Sequence, residues 1–347
     1  MSRRVLVIGG AGDLGRNRIL PALGQLGLHA DVVDPQPFPG NMPAAVARAY
    51  PSLECLGSTD GDCYLGAIVA SPNHLHLRHC RWALGAARAP CLCEKPIAHT
   101  LDDAREMARL ASGPVPLWTA DHYLAKPPSD FLLARGPELL SSVGPLRRVR
   151  GRILEPAGTL AGRGWLRDPD RAGGGIWVDT GVHLVTLLLS LPAAATPGHP
   201  ALAESPWQIR SAAARGYDED LGLAETYFRL SAAAGQTEII LEVGKTVDEP
   251  AKDLLLEGIG GTIQLDWQAG TVRRDGDTVY ADADPPFGGY LALLESFAAV
   301  CRHRQRAETP AAPGLVACEL AERALRILKS AYACADLPPR LREACLR

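Results

Sequence analysis

The sequence has 347 residues and a formal net charge of -3, and its apolar content of 47% is ordinary for a globular protein. This length predicts about two domains, each large enough to bury its own core. The nearly balanced charge provides no basic surface for nucleic acid or an anionic membrane, so we expect neither as a partner. The apolar run Val5–Ile8 is too short for the core of a signal peptide. The run near Leu184–Leu191 is well short of a membrane span. We therefore expect a soluble, cytoplasmic protein.

The first third of the sequence alternates short apolar runs with helical stretches. The predicted strands are Val5–Ile8, Ala30–Val33, Ala67–Ala70, Pro90–Cys93 and Pro116–Thr119. The predicted helices are Leu14–Leu26, Ala44–Tyr50, His74–Leu84 and Leu101–Ala111. Strands that alternate with helices predict an α/β domain with a parallel, doubly wound sheet, which we assign to residues 1–121.

After about Asp121 the pattern changes to closely spaced strands with glycine turns, which indicates a mostly antiparallel open sheet. The predicted strands are Leu146–Ile153, Glu225–Leu230, Thr237–Val243, Asp253–Glu257, Thr262–Asp266, Thr271–Arg274 and Thr278–Tyr280. The predicted helices are Phe131–Leu140, Val178–Leu191, Gly289–Arg302 and Gly314–Cys334. We assign residues 122–347 to a second, α+β domain and expect the C-terminal helices to pack back on the first domain.

The numbers of lysines and cysteines, and their positions, are informative about function. Of the 36 cationic side chains five are lysines and 31 are arginines, so a lysine inside a motif is more informative here than usual. The lysines are Lys95, Lys126, Lys245, Lys252 and Lys329. The nine cysteines include one close pair, Cys91 and Cys93, which share a face of a predicted strand and could in principle bind a metal. No second close pair follows, so we expect buried thiols in a reducing compartment and no metal site.

A glycine-rich turn joins the first predicted strand to the first helix. Its sequence is Gly10-Ala11-Gly12-Asp13-Leu14-Gly15, a GxGxxG pattern. Such glycines permit a tight turn and close approach of the backbone to a pyrophosphate, while the N-terminus of the helix supplies amide donors. The strand before the turn and the helix after it give the pattern the context it needs, so the turn predicts a dinucleotide site.

Asp34 ends the second predicted strand, close to the usual spacing of about 20 residues for an acid that binds the ribose hydroxyls. A carboxylate there would repel a 2′-phosphate, and Pro35-Gln36-Pro37 adds no cation. Asp34 therefore favours NAD over NADP as the cofactor.

A third motif, Ser71-Pro72-Asn73-His74, follows the strand Ala67–Ala70 and should face the cofactor, because ligands bind beyond the carboxyl ends of parallel strands. His76 and His79 come next, but their spacing from His74 does not place the three on one helical face. We interpret them as surface histidines at the start of a helix, without a metal.

Glu94-Lys95-Pro96 follows the strand Pro90–Cys93 at the same edge of the sheet. Together with the turn, the Ser71 motif and Gly173-Gly174-Gly175-x-x-x-Asp179-x-x-x-His183, it makes the chain resemble the glucose–fructose oxidoreductase / inositol dehydrogenase (Gfo/Idh/MocA) family nearly from end to end. The resemblance implies a Rossmann domain, a homodimer or homotetramer, and a catalytic group of Lys95, Asp179 and His183. It also places Ser71, Pro72, Asn73, His74, Glu94 and Lys95 at the cofactor.

The chemistry of these residue types agrees with that assignment. A histidine with a pKa near ~6.5 can accept a hydroxyl proton around neutral pH, and a lysine ammonium can stabilise developing alkoxide charge. Asp179 and His183 are four residues apart and share a helical face. The carboxylate could bind substrate or orient the imidazole; alternatively the two form an ordinary helix ion pair.

A second resemblance is to glucose-6-phosphate dehydrogenases, in Gly10–Leu23 and in Asp121-His122-Tyr123-Leu124-Ala125-Lys126. It implies that Asp121 supports His183 and that His122, Tyr123 and Lys126 bind a sugar phosphate. The match departs from that family at Arg16, where a lysine is usual, in the four-residue Asp179–His183 spacing, and in the shorter chain. The alternative is that His122 and Tyr123 line the pocket while Lys126 is solvated.

Trp165 lies just before the triple glycine with Arg163 and Arg167. These three residues either rim the substrate pocket or pack the loop.

The sequence thus predicts an NAD-dependent oxidoreductase for a secondary alcohol or ketone of a sugar, a cyclitol or their phosphates, with a role in making an unusual sugar or cyclitol. One alternative is a catalytically silent regulator of the same fold that senses a sugar or NAD. A third reading, reduction of an imine or enone, needs less of a hydroxyl-directed base, so the Lys95, Asp179 and His183 set argues against it.

Overall fold

Two β-sheets organise this chain. The computed structural model describes residues 4–56, 64–156, 164–192, 202–245, 247–283, 287–303 and 312–347. The chain divides into one unit of Met1–Lys126 with Pro285–Glu322 and a second of Pro127–Asp284 with Arg323–Arg347. The predicted boundary after Asp121 lies five residues before this division, so His122, Tyr123 and Lys126 belong to the first unit.

The first unit contains a seven-stranded sheet. Its strands are β1 (Arg4–Ile8), β2 (His29–Val33), β3 (Val46–Tyr50), β4 (Gly66–Val69), β5 (Cys91–Cys93), β6 (Leu117–Ala120) and an edge strand, Leu315–Ala317. The spatial order is edge strand, β6, β5, β4, β1, β2, β3. All pairs are parallel except the edge strand with β6. The order β3-β2-β1-β4-β5-β6 is that of the Rossmann fold, which confirms the predicted doubly wound sheet.

Helices of the first unit connect these strands. They are Leu20–Gln25, His76–Gly85, Leu101–Ala111 and Tyr290–His303. The helix Leu101–Ala111 shows why such segments start where they do. The Thr100 side chain accepts a hydrogen bond from the Asp103 amide, and Asp102 and Asp103 place negative charge in the first turn. β1 is buried along Val5–Ile8, as expected for a strand covered on both faces.

The second unit contains an eight-stranded sheet. Its strands are β7 (Leu146–Leu154), β8 (Trp207–Arg215), β9 (Tyr227–Ala234), β10 (Thr237–Gly244), β11 (Ala251–Gly258), β12 (Thr262–Asp266), β13 (Thr271–Arg274) and β14 (Asp277–Ala281). The order is β14-β13-β12-β11-β7-β10-β9-β8, and β7 with β10 is the parallel pair among otherwise antiparallel ones. This confirms the mostly antiparallel open sheet.

The helices assigned wholly to the second unit are Pro127–Ala134, Gly136–Val143, Pro169–Ala172, Val182–Ser190 and Pro339–Leu346, while Cys318–Ala333 lies across the division of the chain. The stretch Pro169–Ser190 has the length and composition of a membrane span, yet 94% of its apolar window is buried inside the protein. That degree of burial is typical of a core helix.

Several predicted elements were wrong. Ala44–Tyr50, predicted as a helix, contains β3, whose residues bond to β2 in the register Ala30–Val46 to Val33–Tyr50. Pairing along the sheet outweighs the local helix propensity of two alanines and an arginine. The predicted helix Phe131–Leu140 is two helices, because Gly136-Pro137 interrupts it and proline removes an amide donor. β8 and the edge strand were missed.

Candidate functional site

The glycine turn lies at the carboxyl end of β1, where the sheet reverses its strand order between β1 and β4. A Cβ on Gly15 would lie 2.3 Å from the carbonyl oxygen of Gly10, so the helix packs directly on the turn. A Cβ on Gly12 would meet the Gly9 oxygen at 3.4 Å, and Gly12 is exposed. The turn is therefore tight at Gly15 and open at Gly12, as a cradle for a pyrophosphate requires.

Asp34 lies beside the turn. Its Oδ2 accepts a hydrogen bond of 3.0 Å from the amide of Ala11, and its Oδ1 accepts one of 2.9 Å from Gln36. Arg16 folds back so that its Nε donates to the Ala11 carbonyl at 2.9 Å. The structure thus brings Asp34, the acid predicted to bind the ribose, to the turn that is predicted to bind the pyrophosphate.

The loop Ser71–His74 and the loop Glu94–Pro96 follow β4 and β5, which are neighbours in the sheet. His76 links them: its Nε2 lies 2.8 Å from the Ser71 oxygen and its Nδ1 lies 3.0 Å from the Pro96 oxygen. His76 is 0% exposed, so the prediction of surface histidines was wrong for this residue. Burial lowers its pKa. The backbone carbonyls of Ser71 and Pro96 lie within hydrogen-bonding distance of the His76 ring, which explains why this imidazole can be buried in the core.

Glu94 is buried next to Lys95, and burial raises its pKa to about 7. The ammonium charge of Lys95 and a hydrogen bond from the Tyr290 hydroxyl oppose that shift. The Tyr290 ring also stacks on His122, with centroids 4.8 Å apart. Tyr290 therefore joins two predicted site residues, yet the sequence analysis missed it. The signal available in the sequence is the Gly288-Gly289 pair directly before it.

The segment Asp121–Lys126 follows β6 at the same edge of the sheet. Asp121 is fully buried, and its Oδ1 accepts a hydrogen bond of 3.0 Å from the Tyr123 amide. The His122 and Tyr123 rings lie 5.1 Å apart, and the Lys126 Nζ lies 5.1 Å from the Tyr123 centroid. Lys126 is buried rather than solvated. The first unit therefore carries a cluster of the Tyr123 and Tyr290 rings, the His122 imidazole and the Lys126 ammonium.

The cysteine pair belongs to the core of the first unit. Cys91, Cys93 and Cys80 are buried, with 3.8 Å between the sulfurs of Cys80 and Cys91. Burial raises the pKa of Cys93 to about 11, so it is a thiol at neutral pH. A protonated thiol is a poor metal ligand and a poor nucleophile.

In the second unit, Asp179 and His183 lie on the segment Trp177–Ser190, which begins with a π turn at Trp177–Gly181 and continues as the α-helix Val182–Ser190. Turns of this kind are frequent at functional sites. His183 is buried. The Oδ2 of Asp179 accepts a hydrogen bond of 2.7 Å from the Nζ of Lys245, a residue that the sequence analysis did not select.

The triple glycine before this segment packs on a buried acid, Glu225. A Cβ on Gly175 would lie 2.5 Å from the Glu225 Oε2. The Oε1 accepts hydrogen bonds from the Trp177 amide at 3.0 Å and from the Tyr332 hydroxyl at 2.8 Å. Burial raises the pKa of Glu225 to about 7. Glu225 thus anchors the first turn of the segment that carries Asp179 and His183.

The remaining predicted residues precede the triple glycine. Arg163 lies outside the described residues, and Trp165 is partly exposed. Arg167 donates from Nε to the Ala224 oxygen at 3.0 Å and from Nη2 to the Gly216 oxygen at 2.6 Å. These two bonds favour the loop-packing alternative for Arg167.

Residues 3–114 match the profile of GFO_IDH_MocA, described as an oxidoreductase family with an NAD-binding Rossmann fold. Over these residues the chain is similar to the Gfo/Idh/MocA oxidoreductases. The match confirms the predicted resemblance over residues 3–114, and the description of that family agrees with the predicted class, an NAD(P)-dependent oxidoreductase. No curated protein sequence matches the chain.

Solved structures of similar fold cover both units of the chain. An oxidoreductase from Thermotoga maritima is 18% identical, with coverage of 100% of this chain and 98% of that chain and a TM-score of 0.74. The 3-ketoreductase KijD10 from Actinomadura kijaniata, in complex with NADP and TDP-benzene, is 16% identical, with 96% and 98% coverage and a TM-score of 0.71. UDP-N-acetylglucosamine 3-dehydrogenase GnnA from Acidithiobacillus ferrooxidans is 16% identical, with 100% coverage of both chains and a TM-score of 0.69. At these identities the likeness shows the fold alone.

Proposed function

We propose that this protein is a dehydrogenase or ketoreductase that acts on a secondary alcohol or ketone of a sugar, a cyclitol or one of their phosphates. The observation that carries the proposal is the placement of Lys95 directly after β5, at the same carboxyl edge of the Rossmann sheet as the glycine turn that follows β1. Asp179 and His183, held on one helical segment of the second unit, supply the acid–base groups.

The first unit fits a dinucleotide. Gly12 is exposed where a pyrophosphate would approach, and Gly15 brings the helix N-terminus onto the turn. Asp34, at the end of β2, offers a carboxylate to ribose hydroxyls. Gly10, Ala11, Gly12, Asp13, Leu14 and Gly15 would hold the pyrophosphate, and Asp34 the adenosine ribose.

We propose NAD as the preferred cofactor. The Asp34 carboxylate lies at the turn, bonded to the Ala11 amide, where it would repel a 2′-phosphate. Arg16 is the neighbouring cation, and its Nε is already engaged with the Ala11 carbonyl. The ketoreductase KijD10 was solved with NADP, so relatives of this fold do accept the phosphorylated cofactor.

When bound, nicotinamide supplies or accepts the hydride. In the oxidative direction His183 takes the hydroxyl proton, and the Lys95 ammonium donates a hydrogen bond to the reacting oxygen as negative charge develops there. Asp179 binds a substrate hydroxyl or orients the imidazole. Burial raises the pKa of Glu94 to about 7. Glu94 lies next to Lys95 in the chain and accepts a hydrogen bond from the Tyr290 hydroxyl.

We propose further that His122, Tyr123 and Lys126 receive an anionic group of the substrate, such as a phosphate. Lys126 is buried, so its ammonium has lost much of its hydration and would gain from an anion. Two proteins of similar fold, a UDP-N-acetylglucosamine dehydrogenase and a ketoreductase bound to TDP-benzene, also take ligands that carry phosphates.

The proposal is tested by measuring NAD reduction with a panel of myo-inositol, glucose, glucose 6-phosphate and UDP-N-acetylglucosamine, with NADH binding measured in parallel. We expect turnover with at least one probe. Tight NADH binding without turnover in either direction, including reduction of the matching keto compounds, would contradict the proposal and favour a sensing regulator.

The anion site has its own test. A phosphorylated probe should lose at least about tenfold in kcat/KM in Lys126→Met, whereas its unphosphorylated counterpart should lose little, because one charge-assisted hydrogen bond is worth roughly 1.5–3 kcal/mol. Equal losses for both probes would refute an anion site at Lys126.

A further inference from the structure

Lys245 follows β10 and points its ammonium at the acid of the predicted catalytic group. Its Nζ lies 2.7 Å from the Asp179 Oδ2. The two side chains are 7% and 13% exposed, so both charges are largely withdrawn from water. The backbone also holds this residue, since the Lys245 amide donates to the Thr226 oxygen at 3.0 Å.

Stability alone does not explain such a pair. Withdrawing two charges from water costs several kcal/mol per ion, and a buried pair often contributes no more than an apolar pair of the same volume. Removing one partner, by contrast, leaves a lone buried charge. Lys245 therefore supplies the charge that compensates the Asp179 carboxylate in this unit.

The choice of lysine at this position is specific. The exposed ion pairs on the same sheet use arginine, as in Arg148–Glu238 and Arg152–Asp253. None of the five lysines is an exposed residue, whereas 31 arginines provide the other cations. An ammonium is a compact point charge with three donors and fits one carboxylate oxygen in a confined space.

A second lysine, Lys252, forms an ion pair with Glu155, an acid near Asp179. Glu155 lies near both Lys245 and Asp179, and Lys252 donates to its Oε1 at 2.7 Å. Burial acts to raise the pKa of Glu155, but the charges of Lys252 and Lys245 outweigh burial and lower it. Each acid thus has its own short contact with a lysine, Glu155 with Lys252 and Asp179 with Lys245.

From this geometry we infer that Lys245 is a positioning residue for the reaction proposed above: it pairs with the Asp179 carboxylate and fixes its orientation. The inference rests on the proposed function of Asp179. Lys245 transfers no proton and touches no cofactor in this account. Its ammonium holds one carboxylate oxygen, so that Asp179 presents a defined acceptor to the substrate hydroxyl or to the His183 imidazole.

The test compares Lys245→Met with Lys252→Met, which removes an ammonium at the same 2.7 Å distance from a different carboxylate. With the panel probe that wild type turns over fastest, Lys245→Met should lower kcat by about 10- to 100-fold, as misplacement of a reacting group does. NADH affinity and KM should change less than threefold, and Lys252→Met should keep kcat within about threefold. Equal kcat for Lys245→Met and Lys252→Met would overturn the inference.

A double-mutant cycle and chemical rescue exclude a merely structural effect. If Lys245 acts through Asp179, adding Lys245→Met to Asp179→Asn should lower kcat no further. Ethylammonium should restore part of the kcat of Lys245→Ala, whereas ethanol at the same concentration should not. Additive losses in the cycle, or rescue by neither additive, would count against a positioning role.

These outcomes are separable from failure of the proposed function. If wild type binds NADH but turns over no probe, the proposed function fails before Lys245 is examined. If wild type is active and Lys245→Met matches it, the function stands and the inference alone is wrong.

Discussion

Alanine substitutions at two glycines of the turn, Gly12 and Gly15, should affect NADH binding and the free energy of unfolding differently. Gly12→Ala places a methyl group where the Gly9 oxygen is 3.4 Å away, and the φ of Gly12 lies outside the left-handed region. The fold should therefore tolerate the change, or gain up to about 1 kcal/mol because alanine restricts the unfolded chain. Gly15→Ala places a methyl 2.3 Å from the Gly10 oxygen and 2.7 Å from its Cα, and backbone cannot yield there cheaply. We expect Gly15→Ala to destabilise by about 3 kcal/mol or more.

The effect on cofactor binding runs in the opposite sense. A methyl on Gly12 keeps a pyrophosphate away from the turn amides and removes one or two hydrogen bonds to charge, each worth roughly 1.5–3 kcal/mol. The NADH Kd of Gly12→Ala should rise at least about tenfold, and more if both bonds are lost.

The assay pairs calorimetric titration with NADH and thermal unfolding for wild type and both variants. Gly12→Ala should unfold within a few degrees of wild type while it binds NADH weakly. Wild-type NADH affinity in Gly12→Ala would refute the placement of the pyrophosphate at this turn. Unfolding of Gly12→Ala as low as that of Gly15→Ala would refute the assignment of an open cradle.

Two further changes test the same account. Asp34→Ala should lower the Kd for NADPH relative to that for NADH by about tenfold, since the repelling carboxylate is gone; an unchanged ratio of the two Kd values would exclude Asp34 from cofactor choice. The pKa of Glu225 is about 7 in the folded chain against an ordinary 4.5, so the stability it contributes is present below pH 4.5 and is lost as pH rises through about 7. This raised pKa corresponds to about 3 kcal/mol, so Glu225→Gln should be more stable than wild type at pH 8 by that order. No stability gain at pH 8 would show that the carboxyl group of Glu225 titrates normally.

Parts of the fold and site could be predicted because they depend on residues close together in sequence. The glycine turn, its strand and Asp34 lie within one βαβ segment, where spacing and periodicity decide the structure. Asp179 and His183 are on one helical segment for the same reason.

The residues that were missed depend on contacts between distant parts of the chain. Lys245 is 66 positions from Asp179. Tyr290 meets His122 through a helix that follows the whole second sheet. His76 is inside because two loops place carbonyls around it, which no local pattern shows. β3 resembles a helix locally and becomes a strand through its pairing with β2. The rarity of lysine was the signal available for Lys245, but Lys245 lies in none of the sequence motifs, so this signal did not select it.

The most direct test of the central claim is the single-turnover rate of hydride transfer in Lys95→Ala and His183→Ala, measured with saturating NAD and the best probe of the panel. Both variants should retain NADH binding and lose about 10²–10⁴-fold in rate, as loss of a general acid–base or oxyanion group does. A rate near that of wild type in either variant would contradict the assignment of Lys95 and His183 as the catalytic pair.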